Sequence, residues 1–279
     1  IDALGLLKFP MFTEVSKTLD RIPNLAKRLL ALRGYLRKEA NSSGTVKSRW
    51  AFSQEQFDGF KATPAGAALT REINVVKKRF CEITGKKYRL GTGAEFRSLN
   101  TQIQYWNDRG NVQEMADKLM KKTQQRVKKK TAELVGSSKI PSYPAIEDYS
   151  GRMQLSFQVG IKPSVIARNP NATGLVDKDA VFDQLQLALE NFAEFLRKAY
   201  LTGELKTATP GISDHGRSQA IDFGVTEVGT GKKIAGASSA SNWRSTGMAK
   251  ILAEAMKSST HFKGPLRRPD EPWHWEFHA

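Results

Sequence analysis

Along the chain, apolar positions recur at helical spacing in several long stretches and alternate with polar ones in a few short stretches. Leu25, Leu29, Leu32 and Leu36 stand at i, i+4, i+7 and i+11 and predict helix in the basic region 1–40. The run Asn41-Ser42-Ser43-Gly44-Thr45 then reads as a flexible linker. A better-marked helix follows, with Thr63 as N-cap, Pro64 at its first position and Gly85 past its end. Its apolar stripe is Leu69, Ile73, Val76, Phe80 and Ile83, with Cys81 packed beside it. An extended piece is predicted over 88–93, and Ser98 opens a helix that stops near Gly110. Met153, Leu155, Phe157 and Val159 alternate with polar residues as in a half-buried strand. A helix over about 180–200 carries Phe182, Leu185, Leu189, Phe192 and Leu196 on one face. The remainder predicts a strand over 220–225, a hairpin-like Gly229-Thr230-Gly231, a helix over about 245–257 and a strand over 273–277. Helices and short strands mixed without βαβ regularity predict an α+β fold, a small antiparallel sheet flanked by helices.

Composition narrows the class. With 39% apolar and 26% charged residues in 279, the chain has the balance of an ordinary globular protein, so wholesale disorder is excluded. No run approaches the roughly 18 apolar residues of a membrane span. One cysteine excludes an internal disulfide and a cysteine-based zinc site. The net charge of +16 implies attraction to polyanions, whether nucleic acid, anionic lipid or a carboxylate-rich bacterial wall. The most basic run, Lys118 to Lys130, contains no aromatic residue, which argues against a nucleic-acid interface built on base stacking. Leu119, Val127 and Leu134 give that stretch an apolar edge, so it reads as a helix with a solvated charged face ahead of a surface that adds affinity for the wall.

Histidine is scarce, and three of its four positions fall in two stretches at strand ends. In Ser213-Asp214-His215-Gly216-Arg217-Ser218-Gln219-Ala220-Ile221-Asp222, strand alternation puts Asp222 opposite the face of Ile221, Phe223 and Val225. A carboxylate in so apolar a strand needs a cationic partner, either a basic side chain or a metal shared with His215. In Asp270-Glu271-Pro272-Trp273-His274-Trp275-Glu276-Phe277-His278, the aromatic residues form a core-facing row and leave His274, Glu276 and His278 opposite. Pro272 breaks the strand ladder, and a bend there brings Glu271 and His274 toward one pocket. Glu276 is open to two readings, orientation of a neighbouring group or a solvated rim position, and His278 reads as solvated. Two histidines and one carboxylate leave a tetrahedral zinc ion one open position, the pattern of a catalytic site. A nearby unligated carboxylate is what a zinc hydrolase uses as general base.

These residues resemble the D-alanyl-D-alanine metallopeptidase family, of the lysostaphin, D-Ala-D-Ala peptidase and hedgehog fold group. The resemblance rests on Ser213-x-His215 with Ala220-x-Asp222, on Glu271-x-x-His274 in its Trp-His-Trp-Glu setting, and on Arg97-Ser98-Leu99-Asn100-Thr101-Gln102, which looks like the family's Arg-Ser-x-x-x-Gln. It covers roughly residues 64–279. By this resemblance His215, Asp222 and His274 are the expected ligands of a mononuclear zinc site and Glu271 the catalytic base. Arg97 is the expected cation that steadies the substrate carbonyl, with Ser213 and Gln102 on the substrate side. Ser218 departs from the family, which usually has glycine there, and serine is uncomfortable at φ > 0.

The resemblance implies a zinc peptidase cutting D-amino-acid bonds in peptidoglycan stem peptides, as carboxypeptidase or endopeptidase. It implies a place at the bacterial cell envelope, as a phage lysin or secreted effector, with no nucleic-acid partner. The expected organisation is a basic helical N-terminal extension over 1–60, suited to delivery or wall binding, and a peptidase domain over 61–279 with a basic insertion around 115–180. The alternative is a non-enzymatic zinc-containing binding module of the hedgehog kind; a basic nucleic-acid binder ranks below it.

Overall fold

Thr63 starts the helix that the sequence marks best. Its backbone is extended (φ −78°, ψ 160°), its hydroxyl accepts from the Gly66 amide, and Pro64 follows at the first helical position. The computed structural model describes residues 13–41, 45–135, 191–203, 205–237, 239–267 and 269–278. The strand expected over 153–159, most of the helix expected over 180–200 and the greater part of the basic insertion lie outside these residues. The described residues form an α+β protein whose contacts divide it into two compact units, Ile1–Val46 with Asn107–Thr207 and Lys47–Trp106 with Ala208–Ala279. No described helix is long and apolar enough to cross a membrane.

The described residues of the first unit are helical. They include α1 (Thr13–Asp20), α2 (Leu25–Asn41), α6 (Gly110–Val135) and the helix α7 over residues 191–198. α2 packs along α6, and Leu29, Leu32, Tyr35, Leu119 and Leu196 are among its buried residues. Burial pushes the Tyr35 hydroxyl far above its ordinary pKa. The Arg33 guanidinium donates to the Ala199 carbonyl at 2.8 Å. Burial, with the neighbouring charge of Arg37, lowers its pKa to about 10.

The second unit holds the sheet. Its strands are β1 (Tyr88–Ala94), β2 (Ala220–Glu227), β3 (Lys233–Ala235), β4 (Phe262–Lys263) and β5 (His274–Phe277). All pairings are antiparallel, in the order β1-β2-β5-β4 with β3 also on β2. The apolar stripe of α4 (Pro64–Ile83) and the helices α8 (Ala240–Ser245) and α9 (Met248–Met256) supply the rest of the core, in which Phe80, Ile221, Phe223, Trp243, Leu252, Trp275 and Phe277 are buried. Trp243 is wholly buried and gives its indole N–H to the Gly236 carbonyl at 3.0 Å. The helix expected over about 245–257 is α9, which begins at Met248 after Gly247 takes φ 75°, and the short α8 before it ends at Ser245.

In the contact division the break nearest the expected boundary at residue 60 lies between Val46 and Lys47. The reason is main-chain hydrogen bonding that composition does not reveal. The Ala51 amide donates to Gly211 and the Phe52 amide to Gly216, each at 2.7 Å, tying this segment to the loop that carries His215. α3 (Gln54–Lys61), opened by a complete Ser53/Gln56 capping box, therefore belongs with the sheet unit.

Candidate metal centre

Three segments of the second unit meet at the β2–β5 seam. Antiparallel register puts Asp222 directly opposite His274, so both side chains leave the same face of the sheet. Trp275 and Phe277 point into the core on the other face. His215 arrives on a short 3-10 turn, Asp214–Arg217, just before β2. Gly216 allows that turn to pass closely: a Cβ there would stand 2.6 Å from Ala51 Cβ and from Gln102 Nε2.

His215, Asp222 and His274 are all buried, and their ligand atoms lie within 4.8 Å of one another. His274 Nδ1 is 3.0 Å from Asp222 Oδ1, and His215 Nε2 is 3.3 Å from Asp222 Oδ2. The two imidazole rings meet edge-on, with centroids 5.0 Å apart. Ligands held at 2.0–2.1 Å in a tetrahedron stand roughly 3.3 Å from one another. Both Asp222–imidazole distances match that spacing. This group is therefore able to hold a metal ion. His215 Nδ1, on the far side of its ring, is buried without a hydrogen-bond partner among the described residues.

Electrostatics reflect the same crowding. Burial pushes the Asp222 carboxyl up, but the hydrogen bonds and charges of His215 and His274 outweigh it and hold the group well below the usual carboxylate range. Burial lowers His274, yet the Asp222 hydrogen bond and charge, with the charges of Glu271 and Glu276, raise it above the ordinary imidazole value.

Glu271 reaches the centre through the expected bend. The His274 amide donates to the Glu271 carbonyl at 3.0 Å, and this turn sets Glu271 Oε2 3.8 Å from His274 Nδ1. Arg97 comes from the segment after β1, and its Nη2 lies 3.3 Å from Asp222 Oδ2. Its own amide donates to the His215 carbonyl at 3.0 Å.

Gln102, expected on the substrate side, is a buried brace. On α5 (Leu99–Asp108), it gives Nε2 to the Arg97 carbonyl at 2.7 Å and takes the Gly211 amide on Oε1 at 2.9 Å. Gly211 needs its freedom, with φ 85° and the Trp50 indole 2.6 Å from where a Cβ would sit. Ser213 is buried at the start of the His215 turn and makes no capping hydrogen bond with its side chain. Ser218 closes that turn in the left-handed conformation, φ 56° and ψ 28°, where the resemblance expects glycine.

The other histidines lie elsewhere. His261 Nδ1 is 3.5 Å from Glu72, and His278 pairs with Glu276 at 3.6 Å on half-exposed side chains. Glu276 is thus a rim residue facing His278. Two neighbours escaped the sequence reading. The 50–52 segment carries no chemical motif, and Tyr105, an exposed aromatic eight residues after Arg97, has its ring 5.2 Å from the Arg97 Cζ. Comparison with protein-family models, with curated proteins and with solved structures gives no match for the chain.

Proposed function

We propose that this chain is a zinc-dependent peptidase hydrolysing peptide bonds to D-amino acids in bacterial peptidoglycan. The observation that carries the proposal is the convergence on one buried seam of His215 Nε2, Asp222 and His274 Nδ1, with a second carboxylate, Glu271, 3.8 Å from the His274 nitrogen. His215, Asp222 and His274 would hold the ion. Bound there, zinc supplies Lewis acidity that polarises a carbonyl and makes water a competent nucleophile near neutral pH.

The protein's own residues supply the remainder. Glu271 Oε2 takes a proton from the attacking water and returns it to the departing amine nitrogen, so that one water is consumed for each bond cut. The Arg97 guanidinium donates to the carbonyl oxygen as negative charge develops on it; loss of one such donor typically costs on the order of 10²–10³ in turnover. Gln102 fixes the Arg97 main chain and the Gly211 loop in one grip. Ser213, at the start of the His215 turn, is the residue that the resemblance assigns to the substrate side. The D-amino-acid specificity follows from the resemblance of the three motifs, and the charge of +16 suits a carboxylate-rich wall at the cell envelope.

The test is mass spectrometry of products after zinc-loaded protein meets defined muropeptides. Loss of a terminal D-residue marks a carboxypeptidase, and cleavage within a stem or crosslink marks an endopeptidase. Intact muropeptides in the presence of stoichiometrically zinc-bound protein would overturn the reading.

A further inference from the structure

Arg97 is held at more points than its role on a substrate carbonyl requires. Its amide donates to His215 O at 3.0 Å, and its carbonyl accepts from Gln102 Nε2 at 2.7 Å. These contacts fix the main chain alone. The guanidinium sits at the end of four rotatable bonds, and its ion pair with Asp222 is one Nη2···Oδ2 approach of 3.3 Å. That oxygen also faces His215 Nε2, and the carboxylate belongs to the set able to hold a metal ion. A cation bound there competes with Arg97 for the same negative charge. A hold that does not depend on Asp222 is needed to keep the guanidinium in place.

The ring of Tyr105 provides one. Arg97 Cζ lies 5.2 Å from its centroid, within the range where a guanidinium is drawn to an aromatic face. Tyr105 projects from α5, the helix that opens two residues after Arg97, so the ring stands on a rigid element. Both side chains keep access to solvent, Arg97 at 21% and Tyr105 at 36% exposure, as a residue meeting substrate must.

We propose that Tyr105 is a positioning residue: its ring face holds the Arg97 guanidinium toward the substrate carbonyl while Asp222 serves the metal. This rests on the peptidase reading above. Tyr105 itself touches no reacting atom.

The experiment uses the full chain, zinc-loaded, in two measurements: steady-state hydrolysis of a defined muropeptide, and the ¹⁵Nε–¹Hε NMR signal of Arg97, assigned by its loss in Arg97→Lys. Tyr105→Phe keeps the ring and should leave kcat and the signal unchanged. Tyr105→Leu should lower kcat roughly three- to thirtyfold, with KM moving less than about twofold, and shift the Arg97 signal as the ring current disappears. In an Arg97→Lys background, where the flat guanidinium is gone, Tyr105→Leu should cost little more. A Leu variant with wild-type kcat overturns the proposal, whether or not the signal moves. So does a Phe variant as slow as the Leu variant, because the hydroxyl would then be the active group. If the wild-type protein hydrolyses nothing, the peptidase reading fails by itself. The Arg97 signal then decides whether Tyr105 orients the guanidinium: an unmoved signal in Tyr105→Leu overturns that hold, and a shifted one supports it.

Discussion

Arg97 and His215 present their nitrogens to the same oxygen, each 3.3 Å from Asp222 Oδ2. His274 takes the other carboxylate oxygen at 3.0 Å. One buried acid thus organises a guanidinium and two imidazoles from three separate segments of the chain. Replacing it with the isosteric Asp222→Asn removes the charge that all three face while keeping the shape. Zinc affinity should fall by at least about 100-fold, read by competition with a chromogenic chelator. The metal-free variant should also lose about 1–3 kcal/mol in urea denaturation, because donors are left facing a neutral amide. Unchanged zinc affinity would show that the ion, if any, binds elsewhere.

Metal binding to this preformed site should appear as stability. A ligand that binds only the folded state at 100 times its dissociation constant adds about 2.7 kcal/mol. Zinc should therefore raise the thermal midpoint of the chelator-treated protein. His215→Ala and His274→Ala should abolish the rise, while His278→Ala, at an exposed position paired with Glu276, should leave it intact. An equal rise in all three variants would place the stabilising ion outside the seam.

Glu271→Gln separates metal binding from chemistry. Glu271 Oε2 stands 3.8 Å from His274 Nδ1, near the donor set without belonging to it. The variant should keep its zinc, measured by plasma mass spectrometry on dialysed protein, and lose hydrolysis by roughly 10²–10⁴-fold. A variant that binds zinc and cuts as fast as the wild type removes Glu271 from the base role.

Gln102 offers a contrasting case, in which stability and activity should fall together. It is buried, and both ends of its amide are used by main-chain groups of different segments. Gln102→Leu fills much the same space but leaves the Arg97 carbonyl and Gly211 amide without their partner, at about 1–3 kcal/mol. The loss should register in urea denaturation and in a lower kcat, with zinc stoichiometry unchanged. A stable, fully active Gln102→Leu would remove the brace.

How far the sequence disclosed this arrangement depended on the range of the interaction. Thr63, Pro64 and the Leu69–Phe80 stripe act within one helix, so their spacing predicts α4 directly. The alternation around Asp222 and His274 shows which side chains share a face, and the structure puts the two residues opposite each other in register. The hydrogen bond between Gln102 and Gly211 and the docking of Ala51 and Phe52 onto the Gly211–Gly216 loop involve backbone groups more than 100 residues away. Backbone donors carry no residue signature, so no pattern announces them.

Ser218 closes the His215 turn in a conformation costly for any residue with a Cβ. At φ 56° and ψ 28°, a non-glycine residue sacrifices roughly 1–2 kcal/mol relative to the right-handed region. The side chain is fully buried, and its Oγ has no hydrogen-bond partner among the described residues, a second penalty. Glycine removes both, and returns about 0.5–1 kcal/mol through the greater freedom of the unfolded chain. Ser218→Gly should therefore stabilise the metal-free protein by about 1 kcal/mol, or roughly 2–4 °C in thermal midpoint for a chain of this size. Ser218→Ala keeps the Cβ and loses only the hydroxyl, so it should gain less than glycine if backbone strain dominates, and as much if the orphaned hydroxyl does. A Ser218→Gly variant less stable than the wild type would mean that the hydroxyl holds the turn together despite its strain.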